Sequence, residues 1–164
     1  MSEWVLAART ELTQEQASDF ISKYFGQYPQ VRLYLERIKR QAAEQGYVET
    51  LLGRKRYFPE LQTNSKVPGQ VKSAAQRMAI NHPIQGTAAD IIKIAMIHLD
   101  DELCKRGLKS KMILQVHDEL VLEVPEDELD QVCPLVESVM EGAYPLDAPL
   151  RVDLKTGRHW GEME

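Results

Sequence analysis

Three consecutive ionisable residues, His117-Asp118-Glu119, stand between two apolar runs in Gln115-Val-His-Asp-Glu-Leu-Val-Leu-Glu-Val124. The flanking alternation predicts a β-hairpin with these residues at its tip, where stability alone would favour Asn-Gly or Asp-Gly. Local rules are broken most often at functional sites. A carboxylate on a rigid hairpin can hold Mg²⁺, a hard cation that takes oxygen ligands and leaves positions for water and substrate phosphate. The competing reading is a solvated polar turn. A second set, Arg77, Asn81 and Gln85, recurs every four residues. On a helix successive members rotate by only ~40° and make a ladder along one face. Arginine binds phosphate, and the two amides can donate and accept at base edges or sugars. Exposed helices also carry such ladders for solubility alone. A third set, Arg54-Lys55-Arg56, sits where a small hairpin could set it against a phosphate backbone or simply keep an edge strand soluble.

Other chemistries find less support. His117 beside Asp118 has no Ser or Cys nucleophile with a suitable neighbourhood, and Gly86-Thr-Ala-Ala-Asp90 lacks the glycine spacing and lysine of a P-loop. A metal-dependent phosphohydrolase would need one more inward-facing carboxylate, with Asp90 and Glu123 the nearby candidates. Glu123 shares strand parity with Glu119 but lies four residues, ~13 Å, along the strand. Cys104 and Cys133 are too few for a disulfide framework or a four-ligand zinc site, which fits a reduced cytosolic protein.

Elements that must position these groups are legible in outline. Thr13 with Gln16 forms a capping box ahead of Ala17, Phe20, Ile21 and Tyr24 at helical spacing. Gly26 to Pro29 break that helix. Val31, Leu35, Ile38 and Ala42 mark the next, ended by Gly46. Residues 47–59 read as two short strands around Gly53, and 62–69 as a loop. A long helix should run from near Gly69 to about Arg106, kinked by Pro83, with Gly107 beyond its end. Its apolar stripe is Ile84, Ala88, Ile91, Ile92, Ala95 and Leu99. The hairpin 111–124 presents Met112, Leu114 and Val116, then Leu120, Leu122 and Val124. A helix opens at Pro125 and reaches Gly142, and 150–155 looks like a final strand. The expected class is α+β, a helical front followed by a small antiparallel sheet with covering helices, divided as 1–68 and 69–164.

The 164 residues carry 20 Lys+Arg against 25 Asp+Glu and 43% hydrophobic residues, the composition of a folded domain. No run approaches the ~20 apolar residues that span a bilayer, and no signal peptide is legible, so no membrane partner is expected. The net charge of −5 hides an asymmetry. Residues 53–93 hold seven basic and two acidic side chains, whereas 118–147 hold ten acids and no Lys or Arg. Basic beside acidic suits a site where phosphates and metal cations meet, although solvated surface charge gives the same pattern.

Two stretches together, Arg77-Met-Ala-Ile-Asn-His-Pro-Ile-Gln-Gly-Thr-Ala-Ala-Asp90 and Gln115-Val-His-Asp-Glu-Leu-Val-Leu-Glu123, resemble A-family DNA polymerases of the bacterial DNA polymerase I type. Gly46-Tyr-Val-Glu-Thr-Leu-Leu-Gly-Arg-Lys-Arg56 and Gly157-Arg-His-Trp160 fit the same pattern, so the resemblance covers nearly the whole chain. It implies the part of a right-hand polymerase running from fingers to palm, with the long helix packed on a palm sheet. It implies Asp118 as a catalytic metal ligand, Glu119 as its neighbour at the metal, and His117 as a contact to the primer end. It also implies Arg77, Asn81 and Gln85 as a face touching template and primer, and Arg54 as a duplex-backbone contact. Two Mg²⁺ ions, primer-template DNA and deoxynucleoside triphosphates belong to the complete enzyme, in the bacterial cytosol or nucleoid. The family's first palm carboxylate and nucleotide-binding fingers helix have no counterpart here, and Met1-Ser2 resembles the residues just after that helix. The expectation is a polymerase piece, inactive alone, that binds duplex weakly, needs the missing upstream segment, and self-associates through an exposed palm edge. The alternative is a non-catalytic nucleic-acid-binding or assembly module on the same scaffold.

Overall fold

The computed structural model describes residues 3–163. Met1 and Ser2, matched above to the segment after the fingers helix, lie outside the described residues. Helix α1 (Glu3–Arg9) has no counterpart in the sequence reading. Helix α2 (Gln14–Gln27) begins as its capping box requires: Gln16 N donates to Thr13 Oγ1 at 3.2 Å, and Thr13 N donates back to Gln16 Oε1 at 2.8 Å. Helix α3 (Pro29–Gln45) starts on proline and ends at Gly46, whose φ of +75° is a left-handed cap that glycine adopts without a β-carbon clash. Strands β1 (Tyr47–Glu49) and β2 (Lys55–Tyr57) pair antiparallel, Val48 opposite Arg56.

Helix α4 (Gly69–Lys105) remains one helix through Pro83. It ends as the glycine predicts: Leu108 N donates to Leu103 O and Gly107 N to Cys104 O, with Gly107 at φ +65°, a Schellman motif. Strands β3 (Lys111–Val116) and β4 (Glu119–Glu123) form a second two-stranded antiparallel sheet. A 3₁₀ turn, Glu126–Glu128, leads into α5 (Leu129–Glu141).

The chain packs as two units dividing between Pro83 and Ile84, so the division falls inside α4 and not at its start, where the sequence reading puts it. In the first unit Ile38, Ala42, Val48, Phe58, Leu61, Ala75 and Ala79 form one buried cluster. In the second, Leu99, Leu103, Val132, Leu135 and Val136 form another, lined by Met112, Leu120 and Leu122 from the hairpin. Each core seats one portion of α4, because alanines at 75 and 79 allow close approach of the strands and leucines at 99 and 103 fill the space beneath the hairpin.

Three expectations need correction. Ile84 is 63% exposed and Ala88 is exposed, so the buried stripe of α4 starts later. At 100° per residue Ile84 points about 180° away from Ala75 and does not continue that face. Residues 150–155 form no strand. Their alternation is amphipathic, but a strand requires a partner ladder; here Val152 N is satisfied by Glu141 Oε1 at 3.2 Å instead. The hairpin faces also differ. A bulge between Met112 and Leu114 leaves Ile113 unmatched, so Leu114 and Val116 share a face with Val121 and Glu119, opposite Met112 and Leu122.

Candidate nucleic-acid interface and acidic hairpin tip

The first unit joins two stretches that lie more than twenty residues apart. The turn from Thr50 to Arg54 is braced by Thr50, whose hydroxyl accepts from Arg54 N at 3.1 Å and whose amide donates to Arg54 O at 3.0 Å. Gly53 closes it at φ +81°. Because Val48 and Arg56 share a face, burying Val48 turns Arg56 toward α4. The Arg56 guanidinium lies over the Phe58 ring at 5.2 Å, within cation–π range, and Nη2 reaches Met78 Sδ at 3.2 Å. One turn further along α4, the His82 imidazole Nε2 is 3.4 Å from the Arg54 carbonyl. The basic turn is therefore docked beside the helical stretch that carries Arg77 and Asn81, and the Arg54, Arg77 and Asn81 side chains are exposed. Gln85 is exposed on α4 in the second unit.

On the opposite face of this small sheet, Lys55 Nζ sits 4.3 Å from the Tyr47 ring centre, and Tyr47 packs on Tyr57 at 5.8 Å. The Tyr47 side chain, as hydrogen-bond partner and as partial charge, holds the Lys55 ammonium above its ordinary pKa. Lys55 thus stays a cation throughout the physiological range. His82 is not singled out by spacing, and Arg56 is singled out only as one of a basic run, not for its contact with α4. Their contacts cross between a hairpin and a helix, and no local pattern reports such a contact.

The second unit carries the acidic tip. Val116 pairs with Glu119, leaving His117 and Asp118 as a two-residue loop. His117 has φ +55°, the left-handed value among the described non-glycine residues. Gln115 Nε2 donates to the His117 carbonyl at 3.0 Å. His117, Asp118 and Glu119 are all exposed. Glu119 belongs to the same face as Val116 and Val121, whereas Gln115 shares the other with Leu120. Among the described residues no three His, Cys, Asp or Glu side chains converge as a metal cage. Two adjacent carboxylates, Asp118 in the loop and Glu119 at the start of β4, are hard-oxygen donors of the kind Mg²⁺ takes, so they fit as part of a ligand set and not as the whole of one.

The model of DNA polymerase family A matches residues 1–162. The chain belongs to DNA polymerase family A. Among similar proteins, DNA polymerase I of Pseudomonas aeruginosa is 49% identical over 99% of the chain and 17% of its own length. The thermostable DNA polymerase I of Thermus filiformis is 48% identical over 99% of the chain and 19% of its own length. The solved POL domain of Pol1 from M. smegmatis, in complex with DNA primer-template and dNTP, superposes with a TM-score of 0.90 at 45% identity, covering 99% of this chain and 28% of that one. The family A chain thus spans less than a fifth of the length of these two relatives.

Proposed function

We propose that this family A chain supplies the DNA-holding helix and one metal-ligating tip of a DNA-directed DNA polymerase. The observation that carries the reading is the docking of the Arg54 turn on α4 at His82, which groups Arg54 with Arg77 and Asn81 as one exposed basic and amide surface. Arg54 and Arg77 then hold backbone phosphates. Asn81 and Gln85 meet base edges or sugars, and His117 contacts the primer end. Asp118, with Glu119 beside it, supplies carboxylate oxygens for Mg²⁺. When bound, the metal supplies Lewis acidity that favours the ionised primer hydroxyl and stabilises charge on the phosphate under attack. What the chain itself does is bind the duplex and present oxygen ligands.

With two carboxylates at the tip and no third converging among the described residues, the 164-residue chain alone should not transfer nucleotides and should bind Mg²⁺ weakly. Primer extension by the purified chain tests this. No product is expected, and product that disappears with Asp118→Ala would overturn it. The partners are primer-template DNA and, for the whole enzyme, deoxynucleoside triphosphates and the remaining polymerase. No described helix is long and apolar enough to cross a membrane, and the bacterial relatives support a cytosolic or nucleoid setting.

A second reading concerns assembly. Among the described residues strands β3 and β4 pair only with each other, and Ile113 and Leu114 are 58% and 46% exposed. Unpaired edges beside apolar side chains favour association. Sedimentation velocity should show concentration-dependent dimer, reduced by Ile113→Lys; a clean monomer at all concentrations would remove this reading.

A further inference from the structure

We infer that Ile84 and Ala88 form an apolar seat on which sugar rings of the bound duplex pack, a salt-independent contact that rests on the duplex-holding role proposed for α4 above.

On an α-helix eleven residues bring the chain back to within ~20° of its starting phase, ~16 Å further along. Ile84 therefore shares its phase with Ala95, and Ala88 shares its phase with Leu99. Farther along this stripe Ile92, Ala95 and Leu99 are buried. Leu99 lies in one cluster with Val132, Leu135 and Val136 of α5, and Met112, Leu120 and Leu122 of the hairpin pack against it. Nearer the start of the second unit the same stripe is bare: Ile84 is 63% exposed and Ala88 is exposed. The stripe outruns its cover. Gln85 is exposed there too, whereas Gly86 and Thr87 are buried. Alanine carries nothing beyond its β-carbon, so Ile84 and Gln85 are the groups that project from this patch.

Charge decides what fits on it. From Leu61 to Ala89 the chain carries Lys66, Lys72 and Arg77 and no acidic residue. Acids resume at Asp90 and recur as Asp100, Asp101 and Glu102 along the portion of α4 that packs in the second core. A bare apolar stripe at the end of an acid-free, basic stretch is complementary to a polyanion that also offers apolar surface. A nucleic-acid duplex is such a ligand, because its sugars present C–H faces between the phosphates and its groove edges accept side-chain amides. Ile84 supplies the packing, and the small Ala88 gives the clearance for the Gln85 amide to reach a sugar or base edge. Apolar neighbours that exclude water strengthen the hydrogen bond of that amide, so Ile84 and Gln85 act together.

The test is fluorescence anisotropy of a labelled blunt duplex across a salt series, using the 164-residue chain. The variants are Ile84→Val, Ile84→Ala, Gln85→Ala and the Ile84→Ala/Gln85→Ala double variant. Ile97→Ala is the matched control, being the same residue type, 62% exposed, on the same helix and about 140° round from Ile84. Each CH₂ group taken out of water contributes about fourfold, so Ile84→Val should weaken binding by about fourfold and Ile84→Ala by roughly tenfold. Both losses should be the same at every salt concentration, with the wild-type slope, because no phosphate contact is removed. Gln85→Ala should cost less in the Ile84→Ala background than alone. Ile97→Ala should bind as the wild type does, and unchanged melting temperatures show that the variants fold. Inorganic polyphosphate, which offers charge without sugars, should bind wild type and Ile84→Ala equally. Wild-type duplex affinity in Ile84→Ala, a loss matched by Ile97→Ala, or an equal loss toward polyphosphate would overturn the inference. So would a dimer in sedimentation velocity that Ile84→Ala dissolves at unchanged duplex affinity, since a second copy would then be the occupant. The premise fails separately. A parallel loss in Ile84→Ala, together with an Arg77→Ala slope equal to that of the wild type, would refute the phosphate-holding role and leave the seat standing; a wild-type chain that binds no duplex would refute both.

Discussion

Removing one arginine from the basic surface should change how DNA binding depends on salt. Four exposed cations cluster around the small hairpin and the adjoining part of α4: Arg54, Lys55, Arg56 and Arg77. If each neutralises one phosphate, Z is about 4, and log affinity against log salt has a slope of roughly −3.6. Between 50 and 200 mM salt that slope costs about 150-fold in affinity, and with one cation fewer about 40-fold. Arg77→Ala and Arg54→Ala should therefore each flatten the slope by about 0.9, equally for any duplex sequence. Lys105, hydrogen-bonded to Glu102 at 3.2 Å in the second unit, serves as the control, and Lys105→Ala should leave the slope unchanged. Fluorescence anisotropy of a labelled blunt duplex across that salt range measures all four proteins. A wild-type slope near zero, or variants running parallel to the wild type, would refute the phosphate-binding role of this surface.

Other expectations follow from packing and protonation. Leu99 is fully buried and Ile97, two residues away on α4, is 62% exposed. Leu99→Ala should destabilise by about 3 kcal/mol and lower the melting temperature by roughly 6–12 °C, while Ile97→Ala should change it little; equal effects by calorimetry would contradict the second core as described. Glu128 accepts from Ser110 Oγ at 2.6 Å and from the amides of Lys109 and Ser110, and these hydrogen bonds, Ser110 Oγ first, hold its carboxyl below the ordinary range. A lowered folded-state pKa gives stability that is present above the unfolded value of about 4.5 and is lost as pH falls through the folded value. Glu128→Gln should thus melt below the wild type at pH 7, with the gap closing in acid; a gap that does not vary with pH would refute the ionic part of this clasp. Arg56→Ala should loosen the hairpin from α4, read as faster hydrogen exchange at the Thr50 and Phe58 amides, which donate to Arg54 O and Gly46 O across the hairpin, and unchanged exchange would show that the Met78 contact holds nothing.

Much of the framework was legible because it is punctuated locally. Thr13 with Gln16, Gly46 and Gly107 mark helix ends through hydrogen bonds that close within a few residues. The hairpin tip was legible because three ionisable residues interrupt an alternation. What escaped depends on partners distant in the chain. The bulge at Ile113 is invisible in a run of three apolar residues, since either face could accept any of them, yet it moves Leu114 to the other side of the sheet. Ile84 reads as core by composition and is turned outward by the phase of α4 relative to Ala75 and Ala79. Residues 150–155 have a strand's pattern and no partner edge. The site shows the same division: Arg54, Arg77, Asn81, Gln85 and the acidic tip could be named from spacing and resemblance. The contacts of His82 with the Arg54 carbonyl and of Gln115 with the His117 carbonyl required coordinates.

The central claim is that Asp118 acts only together with carboxylates supplied from elsewhere in a family A polymerase. Complementation tests it most directly: the 164-residue chain is mixed with a separately purified upstream portion of the Pseudomonas aeruginosa relative, and primer extension is measured with Mg²⁺. Neither piece should extend primer alone, the mixture should, and Asp118→Asn in this chain should abolish the product. Extension that is undiminished by Asp118→Asn would contradict the account.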